Sequence, residues 1–133
     1  RLKEGDDVTI VGSGYSTQLA LEAADALADR GISADVVDLR ALNPFDPAEI
    51  VASVRRTGRL IVLDGGWRTC GMAGEVIASV TERVAPSELK ASPLRVTLPD
   101  APAPTSRVLE AVYYPRLEDI VAAASDLCAP ASA

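Results

Sequence analysis

The Gly12-Ser13-Gly14 turn is the first place where this sequence could bind a cofactor. It follows an apolar run at residues 7–11 and precedes a helical pattern, and Asp38 closes the next strand-like run. A dinucleotide site places glycines at such a turn because the helix N-terminus must meet a pyrophosphate, while an acidic side chain reaches the ribose. Thr17 replaces the third glycine of that fingerprint, and any strand-to-helix turn can need glycine. We favour a structural turn and keep a stand-alone nucleotide-binding module as the alternative function.

A glycine-rich segment at residues 64–71 could hold an anion or a partner. Backbone amides ahead of a helix favour negative charge, but no Gly-Lys-Ser/Thr sequence follows as a Walker motif requires. Trp67 and Arg68 are residue types that often anchor protein interfaces, although Trp67 could equally cover an exposed sheet end. Cys70 lies near Arg68 and ahead of a predicted helix, which could activate a thiol, yet no histidine or neighbouring cysteine supports that chemistry.

The composition excludes most other catalytic chemistries. The 133 residues include no histidine, which removes Ser-His-Asp and Cys-His arrangements and the usual zinc sites. The 13 Lys and Arg against 19 Asp and Glu give a net charge of -6, and such a surface repels nucleic-acid phosphates and anionic lipids. We therefore predict no nucleic-acid partner, no membrane partner, and no catalytic, cofactor-binding or metal-binding residue in this chain alone.

The two cysteines, Cys70 and Cys128, allow at most one disulfide, too few for a secreted disulfide scaffold. We interpret both as free thiols in a reducing, cytoplasmic location. No window approaches 18 consecutive apolar residues, so no membrane span is predicted. The chain opens on Arg1, and a fragment of a longer polypeptide and a natural stand-alone protein both stay open.

The apolar periodicity alternates between strands and helices, which predicts an α/β fold. We expect a single three-layer domain with a mostly parallel sheet over residues 1–133, with a core at about 5–125 and a frayed tail at 126–133. Apolar runs predict strands at residues 7–11, 34–39, 60–63 and 94–98. Helical spacing predicts helices at residues 16–30, 46–57, 72–84 and 116–127. Three prolines within residues 99–104 predict an extended surface segment.

One block of the sequence is specific enough to indicate a family. It is ISADVVDLRALNPFD at residues 32–46, flanked by the runs at 5–11 and 57–67 and followed in order by residues 71–75, 98–104, 109–110 and 114–121. Together these segments, from Glu4 to Ala124, resemble the C-terminal domain of the transketolase superfamily. The resemblance is greatest to the β subunit of thiamine-diphosphate-dependent 2-oxo acid dehydrogenases, the pyruvate and branched-chain decarboxylating components. Arg68, Cys70 and Thr105-Ser106 depart from the family pattern and leave the substrate subfamily open.

The resemblance implies an assembly and docking role in an enzyme that decarboxylates a 2-oxo acid, or in a split transketolase-like enzyme that transfers a two-carbon unit. Thiamine diphosphate and Mg²⁺ would serve the whole enzyme but bind elsewhere, because the family's Gly-Asp-Gly…Asn motif and activating Glu are absent from this sequence. The implied partners, in a homo- or hetero-oligomer, are a pyrimidine-binding domain, an α subunit and a dihydrolipoyl acyltransferase. The candidate interface residues are Trp67, Arg68, Tyr113, Tyr114, Glu118 and Asp119.

Overall fold

Four parallel strands form one sheet in the computed structural model, which describes residues 1–130. The strands are β1 (Val8–Gly12), β2 (Ala34–Asp38), β3 (Leu60–Trp67) and β4 (Leu94–Leu98). Their spatial order is β2-β1-β3-β4, and all three neighbouring pairs are parallel. The predicted mostly parallel sheet is confirmed, and β3 lies in its interior. Residues 2–3 run antiparallel to β2 at Val36 and so cover the exposed edge of that strand.

Helices cover both faces of this sheet. Residues 1–130 contain α1 (Tyr15–Ala28), α2 (Ala48–Thr57), α3 (Met72–Thr81), α4 (Arg107–Tyr113) and α5 (Leu117–Cys128), together with a 3₁₀ turn at Pro86–Glu88. Helices α1 and α5 pack on one face, and α2 and α3 pack on the other. The predicted three-layer α/β architecture is therefore confirmed. Within the same residues, no helix combines the length and apolarity that crossing a membrane requires.

The local sequence explains where the first units begin and end. All five residues of β1 are buried because helices cover both of its faces, so apolar residues lie on both faces of the strand and Thr9 is its one polar side chain. The turn that follows helix α1 contains a left-handed Gly31 with φ of 76°, where Gly31 N donates to Ala28 O and Ile32 N donates to Leu27 O. These two hydrogen bonds require a positive φ at position 31, which glycine adopts at little energetic cost.

Three elements differ most from the sequence predictions, while the ends of β1, β2, α1, α2 and α3 shift by one to three residues. Strand β3 continues past residue 63 to Trp67, because Asp64 and Trp67 pair with β4 across a bulge that contains the two intervening glycines. Helix α4 was not predicted at all. Helix α5 reaches Cys128, so residues 126–128 of the predicted frayed tail are helical, and Arg59 Nε holds them by donating to Leu127 O at 2.9 Å. Residues 131–133 of that tail lie outside the described residues.

Candidate interaction surface

The predicted dinucleotide turn is used for packing between β1 and α1. A Cβ on Gly12 would lie 2.9 Å from the backbone of Ser16, so glycine allows the helix to approach the strand. Thr17 Oγ1 donates to Asp38 Oδ1 at 2.8 Å, and Arg40 Nε donates to Asp38 Oδ2. Both carboxylate oxygens of Asp38 are therefore engaged within the chain, one of them by the largely exposed Arg40. This geometry favours the structural interpretation of the turn.

The glycine-rich segment at residues 64–71 is organised by its own carboxylate. Asp64 Oδ1 accepts from Gly66 N at 2.8 Å, and Asp64 Oδ2 accepts from Ala73 N at 2.9 Å near the start of α3. The Gly66 amide of the candidate anion-binding segment, and the Ala73 amide at the helix that follows it, are therefore satisfied internally. Gly71 lies so close to the preceding turn that a Cβ there would stand 2.1 Å from Trp67 O. Trp67 and Arg68 thus project from a tightly packed loop.

The proline-containing segment at residues 99–104, which forms neither helix nor strand, is fastened to this loop. Thr69 donates twice to Asp100, from its backbone N at 2.9 Å and from its hydroxyl at 2.6 Å. These bonds, the side-chain one first, lower the pKa of Asp100, since a hydrogen-bonded carboxylate is stabilised in its charged form. Tyr113 Oη donates to Ala101 O at 2.6 Å and accepts from Trp67 Nε1 at 3.3 Å.

The structure brings most of the predicted interface residues to the carboxyl ends of β3 and β4. A cleft of about 440 Å³ is lined in part by Arg68, Tyr113, Tyr114 and Asp119. Trp67 borders it through its bond to Tyr113 and keeps 53% of its surface exposed. Tyr113 is only 8% exposed and contacts Tyr114 edge to face, so it supports the surface from inside.

The two acidic candidates open helix α5. Asp119 Oδ2 accepts from Arg116 N at 2.9 Å, and this backbone bond lowers the pKa of Asp119. Glu118 is exposed beside it. Their position at the first turn also suits the helix dipole, so both residues have a structural role whether or not a partner reaches them.

Sequence reasoning missed the most exposed apolar residues, which lie on α4. Val108 and Val112 are 79% and 80% exposed, and Leu109 is also exposed. A signal was available: residues 108, 109, 111 and 112 are all apolar and lie at the i, i+1, i+3, i+4 spacing of one helix face. In the folded chain Val108, Leu109 and Val112 of this face are exposed. Large exposed apolar patches commonly mark interaction sites.

A second cleft, of about 610 Å³, adjoins this helix at the carboxyl ends of β1, β3 and β4. Ligands of open parallel sheets bind at this edge, where the strand order reverses between β1 and β3. Its lining is mainly apolar, with the hydroxyls of Ser13 and Ser16 and the internally bonded Asp64. No group of three or more metal-ligating side chains occurs within residues 1–130. The lining of this cleft therefore suits an inserted apolar group.

Gly71→Ala is expected to distort this surface and to lower the free energy of unfolding by about 1–3 kcal/mol. The added methyl would overlap the Trp67 carbonyl and approach Asp64 Oδ2, which anchors the loop. Gly65→Ala is the matched control, because no atom lies within 4 Å of a Cβ there. Urea denaturation followed by Trp67 fluorescence measures both variants. Equal stability of the two would show that the loop is not packed as described.

The fold is that of a transketolase-type C-terminal domain. The chain belongs to that family, described as "Transketolase, C-terminal domain", whose pattern matches residues 1–120, and the predicted resemblance is confirmed. It is 43% identical over 126 residues to the pyruvate dehydrogenase E1 component subunit beta-1, mitochondrial, of Arabidopsis thaliana, covering 95% of this chain and 34% of that relative. It is 42% identical over 123 residues to the acetoin:2,6-dichlorophenolindophenol oxidoreductase subunit beta of Cupriavidus necator, covering 92% and 36%.

Solved structures agree with this assignment. A split-gene transketolase, solved as an inactive β4 tetramer, matches with a TM-score of 0.79 and 34% identity over 96% of this chain and 40% of that one. A 2-oxoglutarate:ferredoxin oxidoreductase from Magnetococcus marinus shares the fold, with a TM-score of 0.64 and 16% identity over 97% of this chain and 19% of that one. The chain spans about a third of the length of the curated relatives that it matches.

Proposed function

We propose that this chain is the assembly and docking module of the β subunit of a thiamine-diphosphate-dependent 2-oxo acid dehydrogenase, or of a split transketolase-like enzyme. The supporting observation is the outward-facing apolar side of α4, with Val108 and Val112 about four-fifths exposed beside a cleft. A domain whose role is to hold other domains or subunits in place needs such an apolar face. It needs no reactive group of its own. The proposal treats residues 1–133 as one domain of a larger enzyme.

Under the proposal, residues 1–130 supply no thiamine diphosphate or Mg²⁺ site, in keeping with the lack of any group of three or more metal-ligating side chains among them. Asp38 and Asp64, the acidic side chains near the two glycine-containing turns, have both oxygens engaged by donors of the same chain. Under the proposal, other domains hold the cofactor and metal and carry out 2-oxo acid decarboxylation and acyl or two-carbon transfer. The role left to this domain is to hold those domains and subunits in place.

The proposed partners are a pyrimidine-binding domain, an α subunit and a dihydrolipoyl acyltransferase. The relatives named above support a multi-subunit setting, since two are beta subunits and one was solved as a β4 tetramer. A reducing, cytoplasmic location belongs to the same proposal, and the free thiols of Cys70 and Cys128 agree with it.

The test compares the full-length polypeptide that carries this segment with a version that lacks it. Each is co-expressed with the candidate α subunit and assayed for 2-oxo-acid-dependent reduction of an artificial electron acceptor, and for sugar two-carbon transfer, with thiamine diphosphate and Mg²⁺. We expect the deletion to abolish both the oligomer formed with the α subunit and the enzymatic activity. A shortened enzyme that still assembles and turns over substrate at the full rate would contradict the proposal.

A further inference from the structure

The two edges of the sheet differ in what covers them. At the β2 edge, Lys3 O accepts from Val36 N at 2.9 Å and Leu2 N donates to Val36 O at 2.8 Å, so the N-terminal segment pairs with that edge. Strand β4 forms the opposite edge, and the described residues 1–130 place no strand on its outer side. An unpaired edge presents backbone donors and acceptors that another strand can bind.

The outward-facing backbone groups of β4 belong to Arg95 and Thr97. Leu98 O accepts from Arg68 N at 3.2 Å, just after the end of β3, so the backbone of Leu98 faces β3. Successive residues of a strand direct their N–H and C=O groups to opposite sides, so those of Arg95 and Thr97 face away from β3. Within residues 1–130, neither residue has a backbone hydrogen-bond partner outside the sheet.

A groove follows this open edge. The cleft of about 440 Å³ is lined by each residue from 95 to 99, and by Val112 and Tyr114 on its other side. Because the side chains of consecutive strand residues lie on opposite faces of the sheet, a cleft that touches all of them runs along the strand edge. The edge is therefore accessible to an extended segment.

The sequence of β4 complements itself in one antiparallel register. The centre of this register is Val96 opposite Val96 of a second copy, which sets Arg95 opposite Thr97. Leu94 then lies opposite Leu98. Because Arg95 and Thr97 are the outward-facing residues, they form a hydrogen-bonded pair on each side of the two-fold axis. Apolar side chains meet apolar side chains on one face, and no like charges are directly opposite.

The neighbouring registers are less favourable. A shift by one residue sets outward-facing backbone groups opposite groups that already bind β3. A shift by two residues in one direction sets Arg95 opposite Arg95, and in the other direction it sets Arg95 opposite Pro99, which has no N–H to donate. The pattern of β4 thus selects a two-fold contact, in which each copy supplies the complement of the other.

We propose that the β4 edge binds the β4 edge of a second copy of this chain, antiparallel about a two-fold axis at Val96, so that the two sheets become one continuous sheet. This inference rests on the proposed assembly function and specifies one of its contacts. Side chains of both signs, Arg95 and Asp119, line the cleft beside the edge, so the net charge of -6 is not concentrated there.

Disulfide formation at the two-fold axis tests the contact directly. Val96→Cys in the full-length polypeptide is expected to link two copies on oxidation of the native complex, because the Cα atoms of such an opposite pair lie about 4.5 Å apart, within disulfide range. Thr97→Cys is the matched control, since its two copies lie diagonally, about 7–8 Å apart, and are expected not to link.

Mass spectrometry of the oxidised complex identifies the linked peptides. A disulfide from position 96 to position 96 is the expected result. Links from position 96 only to a different polypeptide, or only to another part of the same polypeptide, would overturn the proposal, because a different segment would then occupy the edge.

Removal of an outward-facing N–H gives an independent measurement. Thr97→Pro is expected to raise the dissociation constant between two copies about tenfold or more, because each copy loses a donor at the edge while the bonds to β3 stay in place. Thr97→Ala keeps the N–H and is expected to leave the constant unchanged. Circular dichroism checks the fold of both variants, and the position 96 cross-link decides the case in which the proline variant misfolds.

The outcomes separate this contact from the proposed function. Equal dissociation constants for the two folded variants would contradict the β4 pairing. An intact oligomer whose copies do not link at position 96 would also contradict the β4 contact, but not the assembly function. A wild-type polypeptide that is monomeric would contradict both.

Discussion

Arg56→Met is expected to lower the free energy of unfolding by about 3–5 kcal/mol, because it leaves a buried carboxylate without its main partner. Asp35 lies on β2 with a fully buried side chain, and its two oxygens face the guanidinium groups of Arg56 and Arg1. Arg56 Nε also donates to Gly5 O at 3.2 Å and so ties α2 to the N-terminal segment. The variant therefore loses both the ion pair with Asp35 and the hydrogen bond that joins α2 to the N-terminal segment.

Urea denaturation monitored by circular dichroism measures this loss. Arg55→Met is the matched control, since Arg55 is the preceding residue of α2 and its ion pair with Glu88 is largely exposed. We expect the control to cost at most about 1 kcal/mol. The double variant Arg56→Met with Asp35→Leu should recover part of the stability, because no unpaired charge stays buried. Equal effects of the two single variants would show that Asp35 does not depend on Arg56.

Ile61→Ala is expected to cost about 2–5 kcal/mol through the cavity left at the centre of the sheet. Ile61 is fully buried on β3 and lies opposite Ile10 on β1 and Leu94 on β4. Leu42→Ala is the control at a large apolar side chain that is 52% exposed, where a change within about 0.5 kcal/mol is expected. The same urea titration applies to both variants. A loss under about 1 kcal/mol at Ile61 would contradict the central position of β3.

Most of the helices and strands could be predicted from local sequence patterns. Strands buried on both faces become continuous apolar runs, as at residues 60–63 of β3, and the turn after α1 has the left-handed Gly31 in the expected place. The bulged end of β3 could not be predicted, because Gly65-Gly66 looks like a turn. Its pairing with Thr97 and Leu98 depends on residues more than thirty positions away.

The candidate surface was predictable only in part, for a similar reason. Trp67 and Arg68 were identified as interface residues from their types alone, whereas the burial of Tyr113 depends on a hydrogen bond to the distant Ala101 carbonyl. The apolar residues of α4 were not identified, since exposure is a property of the folded chain and valine is usually buried. The hydrogen bonds that engage Asp38 and Asp64 were likewise visible only in three dimensions.

The central claim is that this chain acts as an assembly module of a larger enzyme. Native mass spectrometry of the complex that contains it, isolated from cells through a tag on the endogenous polypeptide, tests that claim most directly. We predict a polypeptide about three times as long as this chain, in keeping with its share of the relatives' lengths, bound in an oligomer that contains thiamine diphosphate. A free monomer with the 13.9 kDa mass of this chain and no associated subunit would contradict it.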